Sequence, residues 1–165
     1  MTKATNEDDT FLTSCELSNT PGTSAPYHFR TLEVSYSIAP PAVEDAVAHA
    51  KAYFARRKAA DFQQPNPFAE PPTVRGTLQQ TGDSKAGRDF DQGYYVFYET
   101  AVAGAKEGNG LAVILKGSVV ITITASGNDI PGQRVADSRP IGNGLAQRMV
   151  DTVADHVIQG VKTAT

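Results

Sequence analysis

The sequence predicts an α+β domain: an antiparallel sheet of about five to six strands with two long amphipathic helices packed on it. Three observations carry that expectation. Strand-like stretches follow one another more often than repeated strand–helix units would allow. Only two segments place apolar side chains at three-and-four spacing. Between them lies Leu111 to Ala125, LAVILKGSVVITITA, in which two apolar runs flank Lys116-Gly117-Ser118. In its second run Val119, Ile121, Ile123 and Ala125 share one face and Val120, Thr122 and Thr124 the other. This reads as a hairpin in the middle of the sheet.

Taken in order, residues 1–10 are polar and acidic and are expected to be a disordered tail, ahead of a single domain over 11–162. A short first strand is expected over 11–17, with Phe11, Thr13, Cys15 and Leu17 on one face and Cys15 buried and inert. Residues 18–24 are turn formers. Residues 29–38 alternate cleanly: Leu32, Val34, Tyr36 and Ile38 point one way, Thr31, Glu33, Ser35 and Ser37 the other. One face is then buried and the other solvated.

Pro40-Pro41 ends that strand and opens a helix expected from about Pro41 to Ala60. Val43, Ala46, Val47, Ala50, Tyr53 and Phe54 make its stripe, with Glu44 and Asp45 in the first turn and Arg56, Arg57 and Lys58 in the last. Asp61–Pro72 holds four prolines in twelve residues and is irregular. A strand follows around Thr73–Thr81, then a polar, glycine-bearing loop at 82–93. Tyr94–Val102 is a strand with aromatics on both faces, and 103–110 a loop with Glu107-Gly108-Asn109-Gly110 at its tip. After the hairpin, 126–140 reads as a loop. A last helix starts near Asn143 as N-cap and ends by Gly160, with Leu145, Met149, Val153 and Val157 on its stripe, widened by Val150 and Ile158.

Composition excludes some functions. A net charge of −3 gives no basic footprint for nucleic acid. No run approaches the roughly 18 apolar residues of a membrane span. A lone Cys15 excludes an internal disulfide and thiolate metal clusters. His28, His49 and His156 have no ligand spacing, so no metal and no cofactor are expected, and Asp45 and His49 read as a solvated pair four residues apart. Gly76–Gly82 and Gly142-Asn143-Gly144 lack the endings of phosphate loops. No GxSxG supports a nucleophile, so no catalytic residue is assigned; the acids Glu70, Asp83, Asp89 and Asp91 read as solvated loop residues.

The candidate ligand-binding residues are Arg75, Arg88, Tyr94, Tyr95 and Tyr98. An arginine-bearing loop entering an aromatic strand offers stacking and a charged hydrogen bond to a planar or anionic ligand. The competing reading is that the tyrosines are sheet packing with wet hydroxyls.

The stretch GLAVILKGSVVITITASGNDIPGQRVADSRPIGNGLAQRMVDTVADHVI resembles the end of actinobacterial cell-envelope lipoproteins and sensor domains, which are similar to the PsbP-like α/β sandwich. The resemblance covers about the last third of the chain, and the chain lacks a lipobox and the paired cysteines many such domains carry. It implies a non-catalytic extracytoplasmic binding, sensing or accessory module. The Thr, Ser, Gly and Pro content agrees with a location outside the cytoplasm, in which case a leader is absent from this chain; a cytoplasmic location is the alternative. Two other functions stay open: a small enzyme with its site in the loops 61–93 and 126–140, around Arg88, Asp89, Asp91 and Tyr94, and a homodimer paired through an exposed edge strand. A monomeric mass at high protein concentration would count against the dimer.

Overall fold

The computed structural model describes residues 4–6, 10–19, 21–63, 70, 74–77, 89–132 and 134–161. Among them lie strands β1 (Ala4–Asn6), β2 (Thr10–Ser18), β3 (Tyr27–Ile38), β4 (Val74–Thr77), β5 (Gln92–Val102), β6 (Ala105–Lys116), β7 (Val119–Ile130) and β8 (Arg139–Pro140), and helices α1 (Ala46–Gln63) and α2 (Asn143–Gly160). One antiparallel sheet runs β1-β2-β3-β7-β6-β5-β4. β8 adds two residues beside β7 where β6 stops. The fold is α+β as predicted, with six strands, β2 to β7, making up most of the sheet.

The two helices lie on opposite faces. α1 covers Tyr94, Val96, Leu111, Val113, Leu115 and Val120 with Ala50 and Phe54. α2 covers Tyr95, Phe97, Ala112, Ile114, Ile121, Ile123 and Ala125 with Ala146, Val150, Ala154 and Ile158. This is why Leu111–Leu115 has no polar alternation: β6 is buried on both sides, so both phases of the pleat must be apolar. The predicted hairpin is present. Lys116 pairs with Val119, leaving Gly117 at φ 58° and Ser118 as the turn, and the Gly117 N–H donates to Asp91 Oδ2 at 2.7 Å.

Several local expectations are corrected. Part of the expected tail, Ala4–Asn6, pairs with β2. Helix α1 starts at Ala46, not Pro41, because Asp45 caps it: its Oδ1 accepts the Ala48 N–H at 2.8 Å. Asp45 is thus committed to the backbone rather than to His49. The helix also runs on to Gln63, so Arg56, Arg57 and Lys58 stand a turn before its end.

The β5–β6 turn is only Ala103-Gly104, at φ 52° and 83°, and Glu107–Gly110 lie inside β6. Gly108 and Gly110 are there because neighbours press on the strand. A Cβ on Gly108 would stand 2.1 Å from the Ile141 carbonyl oxygen, and one on Gly110 2.8 Å from Ala146 Cβ. Residues 126–130, expected in a loop, extend β7 and pair with both β3 and, through Gly127, β6.

The buried line of α2 is Ala146, Val150, Ala154 and Ile158, which includes two residues of the expected stripe; the others, Leu145, Met149, Val153 and Val157, are partly buried against the same core. Two alanines on that line let the helix approach the sheet closely. Gly142, not Asn143, is the N-cap. Cys15 is a free, exposed thiol rather than a buried one, because α2 does not reach the outer strand on its face. Leu17, on the same face, is 65% exposed.

Candidate functional site

The face of the sheet under α1 changes character across its width. Register gives the rows directly: Leu12, Ser37, Val120 and Leu115; Ser14, Ser35, Thr122 and Val113; Glu16, Glu33, Thr124 and Leu111. The β6 side is apolar and takes Ala50 and Phe54 of α1. The β2–β3–β7 side carries hydroxyls and carboxylates. Helix α1 covers the apolar half, and its polar flank overhangs the other.

Under that flank is a cleft of about 230 Å³, lined by Leu12, Glu33, Ser35, Ser37, Thr122 and Thr124 from the sheet and Tyr53 and Arg57 from the helix. Ser37 is 4% exposed and Thr122 7%. Among the described residues neither side-chain hydroxyl has a hydrogen-bond partner, so what solvation they have comes from the cleft. Both residues are buried, but their hydroxyls open onto the cleft, where a polar solute could hydrogen-bond them.

Arg57 is held for one task. Its Nε donates to Asp61 Oδ2 at 2.9 Å and Oδ1 at 3.2 Å, one turn along α1. Asp61 is 4% exposed and also accepts the Tyr94 hydroxyl proton at Oδ2, 2.5 Å away. Burial works against the charged guanidinium, but the Asp61 carboxylate and the neighbouring Tyr94 and Tyr53 outweigh it, and Arg57 titrates above its usual range. With Nε committed, the terminal nitrogens have no hydrogen-bond partner among the described residues.

The expected site residues do not share one surface. Tyr94 and Tyr98 stand on the α1 face and Tyr95 on the α2 face, as adjacent strand residues must. Tyr94 is fully buried with its hydroxyl on Asp61, and Phe54 and Phe62 meet its ring edge-on at 5.4 and 5.7 Å. The Tyr95 hydroxyl donates to Asn143 Oδ1 at 3.0 Å, tying β5 to the start of α2. Arg75 pairs with Val96 through its backbone in β4; Arg88 lies outside the described residues. Asp89 is exposed 3.6 Å from Lys116, and the Asp91 carboxylate caps the hairpin turn.

The sequence offered one usable sign of the cleft. Glu33, Ser35, Ser37, Thr122 and Thr124 were legible as polar strand faces, but nothing in the spacing says that a helix overhangs them. Arg57 and Asp61 read as a helix end and a loop start.

The tyrosines have a consequence at high pH. Burial, followed by the charge of Asp151, pushes the Tyr95 phenol up to about 12, and burial with the Asp61 hydrogen bond pushes Tyr94 further the same way. Both folded values lie above the unfolded one of roughly 10, so their stabilising contribution is complete below pH of about 10 and is lost as pH rises through the folded values. Phenolate absorbance from these two residues should appear together with loss of far-ultraviolet circular dichroism, and Tyr95→Phe should flatten the alkaline slope. Full ionisation of all six tyrosines with the dichroism intact would contradict the burial.

No family model matches the chain, and no curated protein does. Among solved structures it is similar to a protein of unknown function, PA94 from Pseudomonas aeruginosa, described as a putative regulator. The identity is 11%, the match covers 93% of this chain and 84% of that one, and the TM-score is 0.43. At that level of likeness nothing about function transfers. No helix among the described residues is long and apolar enough to cross a membrane, and none of their His, Cys, Asp and Glu side chains form a group of three that could hold a metal ion.

Proposed function

We propose that the chain is a non-catalytic binding domain whose cleft under α1 takes a small polar solute. The observation that carries this is the pair of cleft-facing hydroxyls of Ser37 and Thr122, without a partner among the described residues, beside the open guanidinium of Arg57. A hydroxyl row and a pinned arginine bind and orient. Among the described residues none of the lining hydroxyls is hydrogen-bonded to Glu33, the one carboxylate that lines the space. In this reading the domain is an extracytoplasmic accessory or sensing part of a bacterial cell-envelope protein; its support is the resemblance of the carboxy-terminal third and the Ser, Thr, Gly and Pro content. Protease access to the protein on intact cells of its host tests that setting, and full protection on intact cells with digestion after lysis would contradict it.

The site is tested by Thr122→Val. Valine keeps the branched shape and strand preference and removes only the hydroxyl. The hydroxyl faces the cleft and has no partner among the described residues to lose, so the variant should keep its stability to within about 1 kcal/mol. It should also weaken whichever solute shifts the amide resonances of Ser35, Ser37 and Thr124, among glycerol, acetate, glycine and ethanolamine. A destabilised variant would show that the hydroxyl already has a structural partner and would end this reading. So would the absence of any shift from all four solutes.

A further inference from the structure

We infer that the solute is a small primary amine that also carries an oxygen function, an amino alcohol or an amino acid. The inference rests on the binding reading above and adds the ligand's chemistry. It starts from the charges that border the cleft. Arg57 is already matched by Asp61, so the helix side of the space is close to neutral. Glu33, on the sheet side, has no cationic partner among the described residues. Its cross-strand neighbour is Glu16, so two carboxylates of like charge stand directly opposite each other on one face.

Directly opposed like charges destabilise a strand pair, and a sequence under no other demand would place a lysine or a neutral residue at one of the two positions. An ammonium group at Glu33 removes that cost. It would be held by a charge-assisted hydrogen bond of the short, strong kind.

The remainder of the lining fixes the other end of the ligand. On β7 Thr124 lies directly across from Glu33, and Thr122 directly across from Ser35. Hydroxyls both donate and accept, and the terminal nitrogens of Arg57 only donate. A hydroxyl or carboxylate oxygen two or three bonds from the ammonium suits that arrangement. Thr122 and Ser37, whose hydroxyls face the cleft without a partner among the described residues, are the groups left to meet it. The size agrees. The cleft, of about 230 Å³, suits a molecule of a few heavy atoms.

Isothermal titration with ethanolamine, glycine, acetate and glycerol, on the full chain and on Glu33→Gln, separates the possibilities. Glu33→Gln keeps the size of the side chain and removes its charge, and should raise the stability slightly by relieving Glu16. The expected result is that ethanolamine or glycine binds. Acetate and glycerol should bind more weakly, and Glu33→Gln should cost the amine about 10- to 100-fold in affinity. If acetate or glycerol binds as well as the amines, or Glu33→Gln leaves the amine affinity unchanged, the cleft is a binding site but the amine assignment is overturned. If none of the four binds, the assignment and the binding reading fall together.

Discussion

Asp61→Ala is expected to lower the unfolding free energy by about 3 kcal/mol, the low end of what breaking a buried ion pair costs. The carboxylate is 4% exposed, and it holds the Arg57 guanidinium and the Tyr94 hydroxyl at once. Its removal leaves one cation and one phenol facing apolar neighbours, among them Phe54 and Phe62. The estimate sits at the low end because the Arg57 side chain is 34% exposed and can take some water from the cleft. Urea denaturation at unchanged slope reads the loss. Asp61→Leu combined with Arg57→Leu should recover much of it, since a buried pair replaced by apolar side chains is often close to neutral. That double variant would be folded and yet unable to orient a solute, which separates the stability of the site from its use. A loss well under 1 kcal/mol for Asp61→Ala would mean that the network is solvated and that Arg57 is not held.

Gly108→Ala is the second large effect, at about 3 kcal/mol, the upper part of the range for forcing extra atoms into a packed site. The new Cβ would stand 2.1 Å from the Ile141 carbonyl oxygen and 3.0 Å from its carbon. Both are backbone atoms, and Ile141 is itself fixed by its N–H on the Gly127 carbonyl at 3.1 Å. A flexible side chain could swing away; this backbone cannot without giving up the register that joins β7 to the segment leading into α2. Gly104→Ala serves as the comparison. No neighbour lies within 4 Å there, and the only penalty is an alanine at positive φ, of about 1–2 kcal/mol. Equal losses at the two positions would remove the packing explanation for Gly108.

The two glycines also show where a sequence stops being informative. Glu107-Gly108-Asn109-Gly110 has the composition of a turn, and local chemistry favours that assignment. What places it inside a strand is the crowding of Ile141 against Gly108 and of Ala146 and Tyr95 against Gly110. Those neighbours come from more than thirty residues later and from the adjacent strand, so no local window contains them. Asp45 is the opposite case. Its role as a cap depends only on the next three residues, and a closer local reading would have separated it from His49.

The binding site divides in the same way. That Glu33, Ser35 and Ser37 share one strand face, and Thr122 and Thr124 another, follows from the period of two alone. That these two faces are neighbours depends on β3 and β7 pairing across ninety residues of chain, and that they are sheltered depends on where α1 settles. Tyr94 and Tyr95, adjacent and alike in sequence, were sent to opposite faces by the pleat. One then met Asp61 and the other Asn143.

The sequence by itself determined the α+β class, the two helices, the central hairpin and which strand faces are polar, because each is written in the local period of apolar residues. The tertiary structure alone decided that the helices take opposite faces, that Cys15 is exposed, and that Arg57, held by Asp61, overhangs a row of hydroxyls. Those outcomes rest on contacts between residues far apart in the chain, whose energies no local pattern records.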